Sequence, residues 1–218
     1  MQHTQPQTDA VQTRGFTLHS PRFYDLFVNM LLLGKERALR EKTAEIAAIK
    51  PGDKVLDVGC GTGNLTFAAL ACAGTSGEVH GIDASPKMIQ VARSKAARSG
   101  AKAHFQIGLI ERIPFPDDYF DVVLSSLMIH HLPDDLKCKG FVEIRRVLQP
   151  TGHLFAVDFE PPSNPLVQHM LAHVHFHGMM QVDVREYVPM LEEAGFTHVV
   201  TGRTTYRFLS YVKGNKTG

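Results

Sequence analysis

The stretch VLDVGCGTGN at residues 55–64 constrains this chain more than any other. A run of apolar residues around Asp57 leads straight into Gly59, Gly61 and Gly63, and a helix is expected from about Asn64. A strand that turns through a glycine-rich loop into a helix puts that loop at the carboxyl edge of a sheet, where backbone N–H groups face a ligand. The expected ligand is nucleotide-like. The spacing G-C-G-T-G is one residue short of the G-x-G-x-x-G dinucleotide fingerprint, which argues against a nicotinamide dehydrogenase.

Strand and helix patterns go on alternating after the loop. KVLDV precedes one helix, EVHGID precedes another from Ser85, and AHFQIG is followed by a loop and FDVVLS; a parallel sheet covered on both faces is expected. Ser85 as N-cap, Pro86 at the first helical position and Gly100 just past the end mark one helix sharply. Pro133 and Pro150 are expected to bracket the next, with HLFAVDF as the strand after it. Asp183 and Glu186 form a capping-box pattern around a face of Val184, Tyr187, Val188 and Leu191, with Gly195 as C-cap. THVVTG and YRFLSYV read as a closing antiparallel hairpin. Ahead of the loop, PRFYDLFVNMLLLG places Phe23, Phe27, Met30 and Leu31 at helical spacing, and KERALREKTAEIAAIK reads as a charged helix stopped by Pro51-Gly52. The polar start reads as a flexible arm over residues 1–20, ahead of a single domain over 21–218.

With 218 residues, 44% of them apolar, the chain can bury the core of one domain. Lys and Arg total 23 against 22 acidic residues, so no net field draws it to nucleic acid or an anionic bilayer, and a small-molecule partner is expected. The apolar run from Val28 to Leu33 is far shorter than the roughly 20 residues of a membrane span. The start MQHTQPQTDAVQTRG lacks a signal-peptide core, so a cytoplasmic location without stable membrane insertion is expected. Cys60, Cys72 and Cys138 have no CxxC spacing; reduced thiols are expected and no metal is assigned.

The second strand ends in Asp83, where a carboxylate can accept both hydroxyls of a ribose, which indicates adenosine. Asp57, beside the loop, would repel a pyrophosphate but suits a ligand carrying an amine; its alternative reading is a strand-end cap. Adenosine plus an amino acid points to S-adenosylmethionine. On VLDVGCGTGN, GIDASPKMI, ERIPFPDDYFDVVLSS, HHL, FVEIRRVLQPTGHLFAVDF and MLEEAGF, in that order, the chain resembles the class I S-adenosylmethionine-dependent methyltransferases, small-molecule branch, which includes ubiquinone and menaquinone biosynthesis enzymes. The resemblance implies a Rossmann-like three-layer sandwich with a seven-stranded sheet in the order 3-2-1-4-5-7-6, strand 7 antiparallel. It also implies that Asp57, Gly59 and Gly61 hold the methionine part, with Cys60 a small loop residue, and that Asp83 holds the ribose, with Ala84 and Met88 near the adenine. Ser125 falls at the end of the fourth strand beside this cofactor site. Where the family places an aspartate for the adenine amino group, this chain reads Gly108-Leu109-Ile110-Glu111, leaving Leu109 and Ile110 to grip adenine by backbone and apolar contact.

Methyl transfer from a sulfonium is an in-line displacement in which positioning and water exclusion do much of the catalysis. After the fourth strand, His130 or His131 can accept a proton from a phenol or enol, with His131 the preferred catalytic candidate; local hydrogen bonding is the alternative. His169, His173, His175 and His177 read as a substrate-pocket wall, as a metal site or as plain packing. The segment 160–182 and the helices over about 21–50 are expected to form a substrate lid, and in look-alike enzymes a tyrosine at the Tyr24 position covers the carboxylate end of the cofactor. The expected function is methyl transfer to O, C or N of a small, largely apolar or aromatic metabolite. The alternative is a non-catalytic, S-adenosylmethionine-binding regulatory or scaffold protein.

Overall fold

A computed structural model describes residues 34–160, 183–206 and 208–218. The chain runs α1 (Glu36–Ile46), β1 (Lys54–Val58), α2 (Asn64–Ala73), β2 (Glu78–Asp83), α3 (Pro86–Ser99), β3 (Ala103–Ile107), β4 (Phe120–Ser126), α4 (Asp134–Val147), β5 (Leu148–Phe159), α5 (Tyr187–Glu193), β6 (Thr197–Arg203) and β7 (Leu209–Asn215). These form one seven-stranded sheet in the order β3-β2-β1-β4-β5-β7-β6. The pairs from β3 through β5 are parallel, and β7 is antiparallel to both β5 and β6. Fold and strand order are those expected from the sequence.

Strand alternation divides the core in two. Val55, Val79, Val122, Leu124, Phe155 and Val157 face the layer of α1 and α2, through Leu39, Ala44, Leu65 and Ala69. Their neighbours Leu56, Val58, Ile82, Val123, Leu154 and Ala156 face α4 and α5, through Phe141, Ile144, Tyr187 and Leu191. The strand order reverses between β1 and β4, and a crevice at the carboxyl ends of such strands is where open α/β sheets bind ligands. Among the described residues, no helix is long and apolar enough to cross a membrane, and no cluster of three or more His, Cys, Asp or Glu could hold a metal ion.

Two boundaries differ from expectation. Pro150 does not end α4: the helix stops at Val147, and the buried Leu148 enters β5 directly. Pro150 then sits where the β4–β5 register shifts between Phe120 and Val122, a break in the ladder that tolerates a missing N–H. The Asp183 cap does form, its side chain accepting from the Arg185 N–H. However, the segment splits into a 3-10 turn (Val184–Glu186) and α5, because Pro189 lacks the N–H that a continuous helix would donate to Arg185. The arm, the first expected helix with Tyr24, and His169, His173, His175 and His177 lie outside the described residues.

Candidate active site

The glycine loop is tied down by its own backbone. Gly59 and Cys60 N–H both donate to the Ile82 carbonyl, at 2.8 and 2.9 Å, Gly61 N–H donates to Asp83 Oδ2 at 2.9 Å, and Gly63 N–H returns to the Cys60 carbonyl. The expectation that these N–H groups face a ligand is therefore corrected: four of them fasten the loop to β2 or close its turn. The glycines serve conformation and packing. Gly59 (φ +72°) lies against Met128, whose Cγ would be 2.3 Å from an added Cβ, and Gly63 (φ +87°) lies against the Phe105 ring.

Loop, α1, α2 and the β4 end bound an open cleft lined by Glu36, Arg40, Asp57, Cys60, Asn64 and Ser126, among others. Asp57 is 1% exposed and accepts the Thr66 hydroxyl at 2.7 Å. Burial raises its pKa to about 6 against the opposing Thr66 hydrogen bond and Arg40 charge. Asp83 Oδ1 accepts the Ser85 N–H at 2.8 Å, so each carboxylate oxygen is fixed by one backbone donor and keeps a second lone-pair direction. Burial pushes the Asp83 pKa up as well, and the Cys60 thiol is raised by burial and then by Asp57 and Asp83, which makes it a poor nucleophile.

Several expected contacts take a different form. Ser125 turns to the opposite face and donates to the Val58 carbonyl at 3.1 Å, while Ser126, one step along the alternation, lines the cleft. The Ile110 side chain is 6% exposed and packs on Gly140 in the α4 core, so it offers adenine no apolar surface. Leu109 stays partly exposed in a short bridge to Arg112. Met88 is 3% exposed, and Ala84 lies half-buried between Asp83 and the α3 cap. Ile107, 41% exposed and in register with Asp83, is an apolar surface the sequence reading passed over.

On the other face, β4 leads through Leu127 at φ +57°, a strained conformation for a bulky residue, into a 3-10 turn carrying both histidines. His130 Nδ1 lies 2.6 Å from Asp158 Oδ1, and the His130 backbone N–H reaches Oδ2 at 3.1 Å. Oδ2 also accepts the Tyr187 hydroxyl at 3.1 Å, and burial and Asp158 push that phenol's pKa up. A carboxylate only accepts, so Nδ1 carries a hydrogen, and in the neutral ring Nε2 is then the acceptor. That Nε2 is buried with no hydrogen-bond partner among the described residues. His131 lies beside it, ring centroids 3.9 Å apart, its pKa lowered to about 4 by burial and then by His130. Asp158, Tyr187, Arg40 and Glu36 were missed as site residues. The available clues were an acid inside the apolar strand AVDF and two charges on the stripe of Leu39, Ala44 and Ala47.

Sheet order, acid-tipped β1 and β2 and a crevice at the reversal point define a doubly wound α/β protein built around a small ligand. Residues 49–195 match a family model described as a methyltransferase domain, and the chain belongs to that family. The ubiquinone/menaquinone biosynthesis C-methyltransferase UbiE of Burkholderia multivorans is 34% identical over 164 residues, 75% of this chain and 67% of that one. Its Burkholderia mallei counterpart is 35% identical over 143 residues, 66% of this chain but 58% of the relative, so part of each relative has no counterpart in the match. A crystal structure of a SAM-dependent methyltransferase from Aquifex aeolicus superposes with a TM-score of 0.64 at 24% identity, covering 81% of this chain and 89% of that one.

Proposed function

We propose that the protein is an S-adenosylmethionine-dependent methyltransferase acting on O, C or N of a small, largely aromatic or apolar acceptor. The observation that carries this is Asp57 and Asp83 flanking the glycine loop, the first buried and held by the Thr66 hydroxyl, the second half-buried and held by two backbone N–H groups. In this reading the cofactor lies across the loop: Asp57, in the cleft, would take the α-amino group, Asp83 at the end of β2 the ribose hydroxyls, and Ile107 and Leu109, at and just past the end of β3, would supply apolar surface for the adenine ring. When bound, the cofactor supplies a methyl group already activated on a sulfonium. No metal is required of the chain, whose part is to bind, orient and exclude water.

His130, rather than His131, carries the arrangement of a general base: Nδ1 on a carboxylate and Nε2 with a lone pair. In this reading Nε2 holds the proton an acceptor hydroxyl gives up, and the resulting imidazolium faces Asp158. His131, lowered to about 4, is too weak a base for that role. Because the UbiE relatives are named as C-methyltransferases of quinone biosynthesis, a quinol-type ring carbon is the first acceptor to test. The test is transfer of labelled methyl from S-adenosylmethionine to 1,4-dihydroxynaphthalene, catechol and phenethylamine, with mass spectrometry locating the label on C, O or N. Label on any of the three supports the reading and names the acceptor atom; no transfer to any of them or to a cell extract would contradict it.

A further inference from the structure

Asp158 is a buried anion whose acceptor directions are all taken. Oδ1 accepts the His130 Nδ1–H at 2.6 Å and the Phe159 N–H at 2.9 Å, and Oδ2 accepts the His130 backbone N–H and the Tyr187 hydroxyl, each at 3.1 Å. The carboxylate and the imidazole are both 1% exposed. A carboxylate offers about four lone-pair directions, so these donors complete the set. Two of them are backbone groups that the 3-10 turn and the end of β5 supply whatever side chains they carry. The Tyr187 hydroxyl is different: it is a side-chain donor brought in from another element, α5.

Packing does not require that hydroxyl. Tyr187 is fully buried, with its ring centre 6.0 Å from that of Phe141, and a phenylalanine would fill the same space. Burying a phenol O–H costs free energy unless it meets an acceptor, and the acceptor it meets is the oxygen shared with the His130 backbone. Other titratable or charged groups facing this chain of contacts are His131 beside His130 on the turn, Glu186 next to Tyr187, and Asp134 and Lys137 on α4, with Lys137 Nζ 5.7 Å from the centre of the Tyr187 ring. Burial and Asp158 keep the phenol protonated, so it donates to the carboxylate throughout.

The hydroxyl acts on the imidazole in two ways. Held from α5 as well as by the backbone, the carboxylate keeps Oδ1 on Nδ1, which leaves Nε2 as the nitrogen that faces an acceptor. The hydroxyl also draws charge from the carboxylate; without it, Asp158 would hold an imidazolium more tightly. Resting on the reading of His130 as general base, we propose that Tyr187 is a positioning residue that works through Asp158, its hydroxyl setting how readily His130 gains and releases the proton during methyl transfer. The proton moves from the acceptor hydroxyl to Nε2 and no further, and Tyr187 keeps its own.

The test follows the His130 ring by NMR across a pH titration of the full chain, for wild type, Tyr187→Phe and a protein with fluorotyrosine at 187, beside the pH profile of kcat/KM for methyl transfer to 1,4-dihydroxynaphthalene. Tyr187→Phe is expected to move the ring midpoint up by about 0.5–1 unit, and the rising limb of kcat/KM with it, because a donor to the carboxylate is lost. Its S-adenosylmethionine affinity should stay within ~2-fold of wild type, because the cofactor contacts are elsewhere. Fluorotyrosine, a more acidic phenol and so a stronger donor, should move midpoint and limb the opposite way. Midpoints that coincide in all three proteins, or a ring that titrates in none, would make Tyr187 a brace for α5 and overturn the assignment. A limb that stays in place while the ring midpoint moves would overturn it too. Absence of methyl transfer by wild type would count against the methyltransferase reading, and the ring titration alone would then decide for or against Tyr187. If Tyr187→Phe does not fold, the fluorotyrosine protein still decides.

Discussion

A carboxyl sealed at the end of β1 weakens the fold it belongs to. Asp57 ordinarily titrates at 3.8, and in the folded protein at about 6, so between these values the folded state binds more protons than the unfolded state. Stability from this group is full below about pH 4 and is lost as pH rises through 6. Asp57→Asn, which keeps an acceptor for Thr66, should stabilise the cofactor-free protein by about 1–3 kcal/mol at pH 7 in urea titrations, while weakening S-adenosylmethionine binding by tenfold or more. His131 runs the other way. Its lowered pKa makes the unfolded state the better proton binder between pH 6.5 and 4, so stability falls as pH falls through that window, and His131→Gln should flatten the loss. His130→Ala should lower kcat by ~10²–10⁴ with cofactor affinity within ~3-fold; an equal loss in both would make His130 structural. Tyr187→Phe, which removes one of the hydrogen bonds to Asp158, should cost about 1–2 kcal/mol in the same urea titrations.

α1 shows where periodicity misleads. KERALREKTAEIAAIK reads as a charged helix, yet Glu36 and Arg40 share the face of Leu39, Ala44 and Ala47 and are buried with them. Spacing puts them on that face, but their burial depends on β4 bringing Ser126 opposite, a contact 86 residues away in sequence. Asp158 was hidden for the same reason: its partners His130 and Tyr187 are 28 and 29 residues distant. By contrast, strands and helices with local punctuation, such as Ser85, Pro86 and Gly100 around α3, were legible in full. Pro150 misled because a proline acts on its own N–H, and the surrounding ladder decides what that loss means. The chain also leaves α1 through Ala48 at φ +59°, exposed and left-handed. Ala48→Gly should therefore raise stability by about 1 kcal/mol, measured as a higher melting temperature.

At the scale of the whole molecule, the two faces of one sheet edge divide the work. The α1/α2 face carries the cleft with Asp57 and Arg40, next to Asp83 at the end of β2, and the α4/α5 face carries Asp158, His130 and Tyr187; β4 ends between them with Ser126 and the strained Leu127. Strand order, and with it the nearness of Asp57 and Asp83, was readable because six motifs in sequence order fix the fold, and the fold brings the ends of β1 and β2 together. The acceptor was not, because fold alone does not choose it and the segment expected to wall its pocket lies outside the described residues. The most direct measurement is calorimetric titration with S-adenosylmethionine, S-adenosylhomocysteine and NADH in parallel, repeated on Asp83→Ala. Micromolar binding of the first two, none of NADH, and loss of most binding in the still-folded variant are the predicted results. No binding of any ligand, or full affinity in Asp83→Ala, would contradict the account.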